Sequence, residues 1–219
     1  VAEAAAAENA RLVQISAIGA DDDSAADYAR TKATGEQAVR RAVPDAIILR
    51  PSVLFGPEDD FFNRFAAMAC VSPALPLIGG GKSRFQPVYV GDVAQAVVKA
   101  VEGDLAAGST WELGGPEVLS FKQCMERMLE VISRRRILMN LPFAVANSLA
   151  GFVQYLPGAP LTPGQVEMLK SDNIVSEEAN ADGRNLAAMG ITATSLQSIL
   201  PDYLVRFRKH GQFEANRGL

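Results

Sequence analysis

The chain has 219 residues, 48% hydrophobic and 21% charged, the composition of a globular protein long enough to bury a sizeable core as one domain or one and a half. Its net charge of −4 and pI near 5.1 give no overall positive field for gathering phosphate backbones, which argues against nucleic acid as a partner. Cys70 and Cys124 stand far apart and the single histidine is His210, so no metal site is expected. The longest apolar stretch, 143–156, is about half a membrane span and contains Asn147, Ser148 and Gln154, so no transmembrane segment is expected, and without a signal-like start a reducing, cytoplasmic setting fits.

In chain order, residues 1–10 read as the end of a helix and 11–16 as a short buried strand closed by a turn at 17–20. The polar stretch Asp21 to Asp27 is placed to cap a helix over 27–43, stopped by Pro44, and 46–50 is the next strand. Strand, helix and strand within about 40 residues make a βαβ unit, with parallel strands and a right-handed crossover. After Pro51 the pattern predicts a helix over 61–68, a Pro/Gly-rich loop over 73–81, a strand over 85–90 and a helix over 93–101 capped by Asp92. A strand at 111–115 follows, then a long amphipathic helix from its cap Ser120 to about Ser133, with Arg134 to Arg136 as its solvated end rather than a lipid or phosphate patch. Helices over 142–158, 162–168 and 194–207 complete the chain. The apolar 142–158 helix reads either as a buried lobe helix or as a face that docks on a partner or a membrane surface. The expected fold is α/β, a parallel-sheet nucleotide-type domain over 1–115 with a loop excursion at 57–85, followed by a mainly helical lobe over 116–219.

Three segments carry chemistry. Tyr28-Ala-Arg-Thr-Lys32 puts a phenol and an ammonium on one helix face. Tyrosine is too weak an acid to trade protons at neutral pH unless a cation stabilises its phenolate, and a lysine one turn away supplies that charge and can hold a ribose hydroxyl. The spacing alone arises by chance on many helices. Here it sits inside a βαβ unit whose first strand ends in Ser16. Leu49-Arg-Pro-Ser-Val-Leu-Phe-Gly-Pro57 follows the carboxyl end of the next strand, where open α/β sheets bind ligands, though an ordinary strand exit would look the same. The third segment is Gln86-Pro-Val-Tyr-Val-Gly-Asp-Val-Ala94, in which Asp92 reads as a helix cap rather than a catalytic group.

In this order and spacing the segments resemble the extended and atypical short-chain dehydrogenase/reductase superfamily, the epimerase/dehydratase relatives, over nearly the whole chain. The resemblance implies a Rossmann-type parallel sheet, a bound NADP or NAD, and a catalytic set of Tyr28 as proton relay, Lys32 on the nicotinamide ribose and Ser16. It also implies that Pro51, Ser52 and Val53 line the nicotinamide and meet its carboxamide through backbone groups. A narrower resemblance rests on Tyr28 to Glu36, on Phe55-Gly-Pro-Glu-Asp-Asp-Phe-Phe-Asn63 and on Gln86 to Val93. These look like the short-chain dehydrogenase-like accessory subunit of respiratory NADH:ubiquinone oxidoreductase, the alpha-subcomplex subunit 9 family. That likeness implies NADPH held as a structural cofactor, other subunits of the respiratory complex as partners, and a place peripheral to the inner membrane.

The sequence departs from working epimerases in one respect. They carry a run of hydroxyl residues after the strand, the catalytic one well upstream of the tyrosine, whereas here Ser16 is followed by Ala17 and Ile18 and precedes Tyr28 by only 12 residues. This favours a cofactor-holding subunit or assembly factor. The rival reading is an NAD(P)-dependent epimerase, dehydratase or reductase with Tyr28 as acid/base, and a third is a scaffold that binds no cofactor. Gly79-Gly-Gly-Lys-Ser83 is no P-loop, because Pro76 stands where that motif needs glycine. A glycine-rich dinucleotide fingerprint is absent from the sequence, as if about 100 residues of the family's pattern preceded Val1, so the chain as it stands is expected to hold NAD(P) weakly or not at all.

Overall fold

A βαβ unit opens the structure, a computed structural model that describes residues 1–155 and 161–209. A short helix α1 (Ala2–Ala7) leads into β1 (Val13–Ile15), helix α2 (Asp27–Ala42) and β2 (Ile47–Pro51). Helix α2 has no side-chain cap; Asp27 lies within its first turn and Arg40 and Arg41 in its last, so both charged ends oppose the helix dipole. β1 and β2 run parallel, with Val13 opposite Ile47 and Ile15 opposite Leu49. Ile47, Ile48 and Leu49 are almost wholly buried, as a strand covered on both faces requires.

The excursion after β2 is more ordered than its sequence suggests. It contains β3 (Leu54–Phe55), helix α3 (Phe62–Val71), β4 (Ala74–Ile78), a single 3₁₀ turn at Gly79–Gly81, β5 (Arg84–Phe85) and β6 (Val88–Tyr89). The stretch 73–81, read above as a loop, therefore holds a five-residue strand. The expected strand 85–90 is two short ones with different partners. Helix α4 (Val90–Glu102) begins three residues earlier than expected, with Tyr89 at the N-cap position and no side-chain cap. Asp92 lies inside its first turn, so it does not cap the helix. Its carboxylate, 1% exposed, accepts from the amide and hydroxyl of Thr194, at 2.7 and 2.9 Å, and ties α4 to the C-terminal segment.

β7 (Thr110–Leu113) returns to the sheet and pairs in parallel with β2, giving the order β1-β2-β7. β8 (Leu119–Ser120) leads into α5 (Phe121–Val131), whose start is the expected one: Ser120 and Gln123 cap each other reciprocally. A strand that the sequence reading lacks, β9 (Ile137–Leu141), pairs in parallel with β4 over five residues. Then come α6 (Phe143–Val153), α7 (Pro163–Met168), whose Thr162 and Gln165 make a second capping box, α8 (Glu177–Ala181) and α9 (Leu196–Leu204), which ends in a 3₁₀ turn at Val205–Phe207. The expected end of the 142–158 helix beyond Tyr155 lies outside the described residues, as does His210. Arg134 and Arg136 donate to the carbonyls of Phe207 and Ala69, so the basic run is partly tied down.

Two main cores result. One joins the sheet to α4 and to Leu186–Ile191, around Leu49, Val88 and Leu113. The other packs α3, α5 and α9 around Phe55, Phe62, Phe121 and Met125, with a cluster of edge-on aromatic rings at Phe61, Phe65 and Phe121. Helix α6 buries Ala146 and Ala150 and leaves Val145, Leu149 and Phe152 exposed, as is Tyr155 just beyond its end.

Candidate functional site

The site forms where β1 and β2 end side by side. Past β1 the chain keeps following β2: the Ser16 amide donates to Leu49 O (2.8 Å) and the Ile18 amide to Pro51 O (3.0 Å). Ser16 is thereby held against the exit of β2 with its side chain 3% exposed. Its hydroxyl is the one buried side-chain polar atom among the described residues without a hydrogen-bond partner. Proteins satisfy such groups, so an orphan at a strand exit points to something that is to be met there. Ile18, two residues on, turns into a small apolar cluster with Val175 and Ala179 and supplies no hydroxyl.

Tyr28 and Lys32 share one face of α2, as their spacing requires. The Lys32 ammonium lies over the Tyr28 ring, 5.5 Å from its centroid. Partial burial holds the Tyr28 phenol above its ordinary value of 10.0, although its side chain is 44% exposed. Glu36, one turn further along α2, is nearly buried and takes both hydrogen bonds of an Arg50 fork, at 2.9 and 2.6 Å. That pair fixes the rotation of α2 over β2, and so of Tyr28 and Lys32. Glu112 of β7 lies 4.0 Å from the same guanidinium.

Pro51, Ser52 and Val53 occupy the exit of β2, and their donors are already committed. The Ser52 amide donates to Leu113 O (2.8 Å) and the Val53 amide to Asn173 Oδ1 (2.9 Å), while Pro51 has no N–H. Asn173 belongs to a strap, residues 172–176, that crosses the carboxyl ends of the strands. Asp172 accepts from the Arg84 amide and side chain, and those bonds hold its carboxyl below the usual range. Val175 N donates to Gln86 Oε1 and Ser176 N to Glu112 Oε2. The strap lies close because Gly114 follows β7: a Cβ there would come within 2.7 Å of Val175 Cγ2, and one on Gly115 within 1.9 Å of Pro87 O. Asn173, Glu36 and Arg50 were not singled out by sequence reasoning. The Arg within Leu-Arg-Pro-Ser and the Glu four residues after Lys32 were a visible opposite-charge pair; Asn173, in a polar run between helices, carried no local signal.

Among the described residues no three His, Cys, Asp or Glu side chains come together as a metal site would need. The strand exits offer an orphaned serine hydroxyl and backbone carbonyls, and the adjoining helix α2 carries a phenol and an ammonium. Such a set fits the ribose and carboxamide of a nicotinamide nucleotide.

The sequence model of the NAD dependent epimerase/dehydratase family matches residues 1–114, which span β1 to β7 and carry Ser16, Tyr28, Lys32 and the Pro51–Val53 exit. The chain belongs to that family. Members solved as crystal structures share its fold. Against the dTDP-glucose 4,6-dehydratase of Streptomyces venezuelae with NAD bound, the TM-score is 0.66 at 18% identity, covering 99% of this chain and 64% of that one. The parallel sheet is thus of the Rossmann type. Among curated relatives, the NADH dehydrogenase [ubiquinone] 1 alpha subcomplex subunit 9 of Arabidopsis thaliana mitochondria is 34% identical over 211 residues, 92% of this chain and 52% of that protein. The NADH-ubiquinone oxidoreductase 40 kDa subunit of Neurospora crassa mitochondria is 27% identical over 205 residues, 93% and 52% of the two chains. The chain spans about half the length of these curated relatives.

Proposed function

We propose that this family member is an accessory subunit or assembly factor of a respiratory NADH:quinone oxidoreductase that holds a nicotinamide dinucleotide as a structural group. The observation that carries this reading is the likeness to two mitochondrial subunits of that complex over more than nine-tenths of the chain. The site agrees with holding rather than turnover. Ile18 stands where epimerases carry a later hydroxyl, and the Lys32 ammonium lies over the Tyr28 ring.

In this reading residues 1–115 grip the nicotinamide end and 116–219 form the lobe that meets other subunits. Lys32 holds the ribose, Ser16 supplies its unpaired hydroxyl, Tyr28 closes the face of the site, and Pro51, Ser52 and Val53 line the ring. The dinucleotide, when bound, would supply hydride chemistry only if a substrate reached it. NADP is favoured over NAD, and the 219 residues alone, lacking a glycine-rich pyrophosphate loop, hold it weakly. No described helix is long and apolar enough to cross a membrane. The exposed apolar side of α6, with Phe152 81% exposed, and Tyr155 just past its end at 83% support a place against a partner subunit or the cytoplasmic face of an inner membrane.

The test is biochemical and genetic. Tagged protein from the complete reading frame is expected to co-migrate with NADH dehydrogenase activity on native gels of solubilised membranes, and its deletion to lower the amount of assembled complex, with Tyr28→Phe having little effect. Recovery as a soluble dimer, with full respiratory activity in the deletion strain, would hand the protein to the rival epimerase or reductase reading.

A further inference from the structure

Asn173 commits each of its polar groups to a different part of the site. Its Oδ1 accepts from Ser52 Oγ (2.7 Å) and from the Val53 amide (2.9 Å), and its Nδ2 donates to Ile18 O (3.2 Å). Its backbone is engaged as well, the amide donating to Arg84 O and the carbonyl accepting from the Gln86 amide and the Ser52 hydroxyl. The side-chain partners lie 155, 121 and 120 residues away and belong to the exits of β1 and β2. A planar amide suits this task, because a single head offers an acceptor with two lone pairs next to two donors.

We infer that Asn173 is a positioning residue of the dinucleotide site: it locks the β1 exit, which carries Ser16, against the β2 exit, which carries Pro51, Ser52 and Val53, and it takes up the Ser52 hydroxyl and Val53 amide. The inference rests on the dinucleotide-holding reading above. With those donors occupied and Pro51 lacking an N–H, the β2 exit presents carbonyl oxygens, so a nicotinamide carboxamide meets it through its own NH₂ group. Each of these carbonyls has a second lone pair: Pro51 O already accepts from Ile18 N and Val53 O from Val88 N, both at 3.0 Å. The strap therefore sets both the spacing of the two exits and the polarity they offer.

The experiment uses protein from the complete reading frame, with NADPH and NADH as probes. Affinity is read by calorimetry, the nicotinamide environment by the emission of bound NADPH, and the lock itself by amide hydrogen exchange without dinucleotide. Asn173→Ala is expected to bind NADPH about tenfold more weakly, the scale of one or two lost hydrogen bonds, with altered emission and faster exchange confined to 16–18 and 52–53. Asn173→Asp keeps an acceptor for Ser52 and Val53 but loses the donor to Ile18 O, and is expected to fall between wild type and alanine in affinity and emission. Alanine affinity within about twofold of wild type, or exchange that rises evenly through α4 and α5, would overturn the assignment. Failure of the wild type itself to bind either nucleotide would overturn the holding reading and this assignment with it, and is distinguishable because it shows before any substitution is made.

Discussion

The Tyr203 hydroxyl donates to the carboxylate of Asp59, 144 residues earlier in the chain. Asp59 also accepts from the amides of Gly56 and Asn63, so one side chain organises the Phe-Gly-Pro-Glu-Asp-Asp-Phe-Phe-Asn loop and anchors it to α9. Burial, and next the Asp59 carboxylate, push the phenol above its ordinary value of 10.0. A raised value means that stability from this group is complete below the unfolded value and declines as pH climbs beyond it. Tyr203→Phe is expected to cost about 1–3 kcal/mol at pH 7. It should also flatten the loss of stability above pH 10, both read from urea denaturation at a series of pH values.

The Arg50 and Glu36 pair joins α2 to β2, with Glu36 nearly buried and Arg50 part-exposed. Removing Glu36 leaves Arg50 with the more distant Glu112, so Glu36→Ala is expected to lower stability by about 2 kcal/mol, and Glu36→Gln by less because it keeps one acceptor. Equal urea midpoints for wild type and alanine would contradict the geometry.

Ser16→Ala removes a buried hydroxyl that bonds to nothing. In the unliganded protein it is expected to be neutral or stabilising by up to about 1 kcal/mol. In the complete protein the same change should weaken NADPH binding by roughly fivefold. Thermal melting with and without the nucleotide reads both arms; a destabilised unliganded protein would mean that the hydroxyl has a partner after all.

Lys32→Ala is expected to weaken NADPH binding by about tenfold through loss of a charged contact, while Tyr28→Phe stays within about twofold. Titration of the two variants side by side by calorimetry decides it. The reverse order would assign the holding role to the phenol.

The βαβ unit was legible because its signals are local: the apolar run at 46–50, Pro44 as a stop, and Tyr28 and Lys32 one turn apart. Ser120 announced its helix in the same way, through a side chain that bonds three residues ahead. β4 and β9 escaped because each is a strand only by virtue of the other, some 60 residues away. Pro76 and Asn140 also weaken the two runs as strand formers, a proline being tolerated where a strand has a neighbour on one side. Asp92 misled because an acid at a helix start is more often a cap, and its partner Thr194 is 102 residues distant. At the site, Ser16, Tyr28 and Lys32 could be read from spacing, whereas the donors at Ser52 and Val53 could not be known to be occupied, since Asn173 reaches them from the far end of the chain.

β1 lies at the margin of the three-stranded sheet, hydrogen-bonded to β2 on one side, with Ile15 39% exposed. A flat parallel margin of this kind is a template: any extended peptide with a compatible apolar rhythm can lengthen the sheet by one strand. A second copy is one such peptide, and β1 paired with β1 about a two-fold axis would cover both margins in a closed dimer.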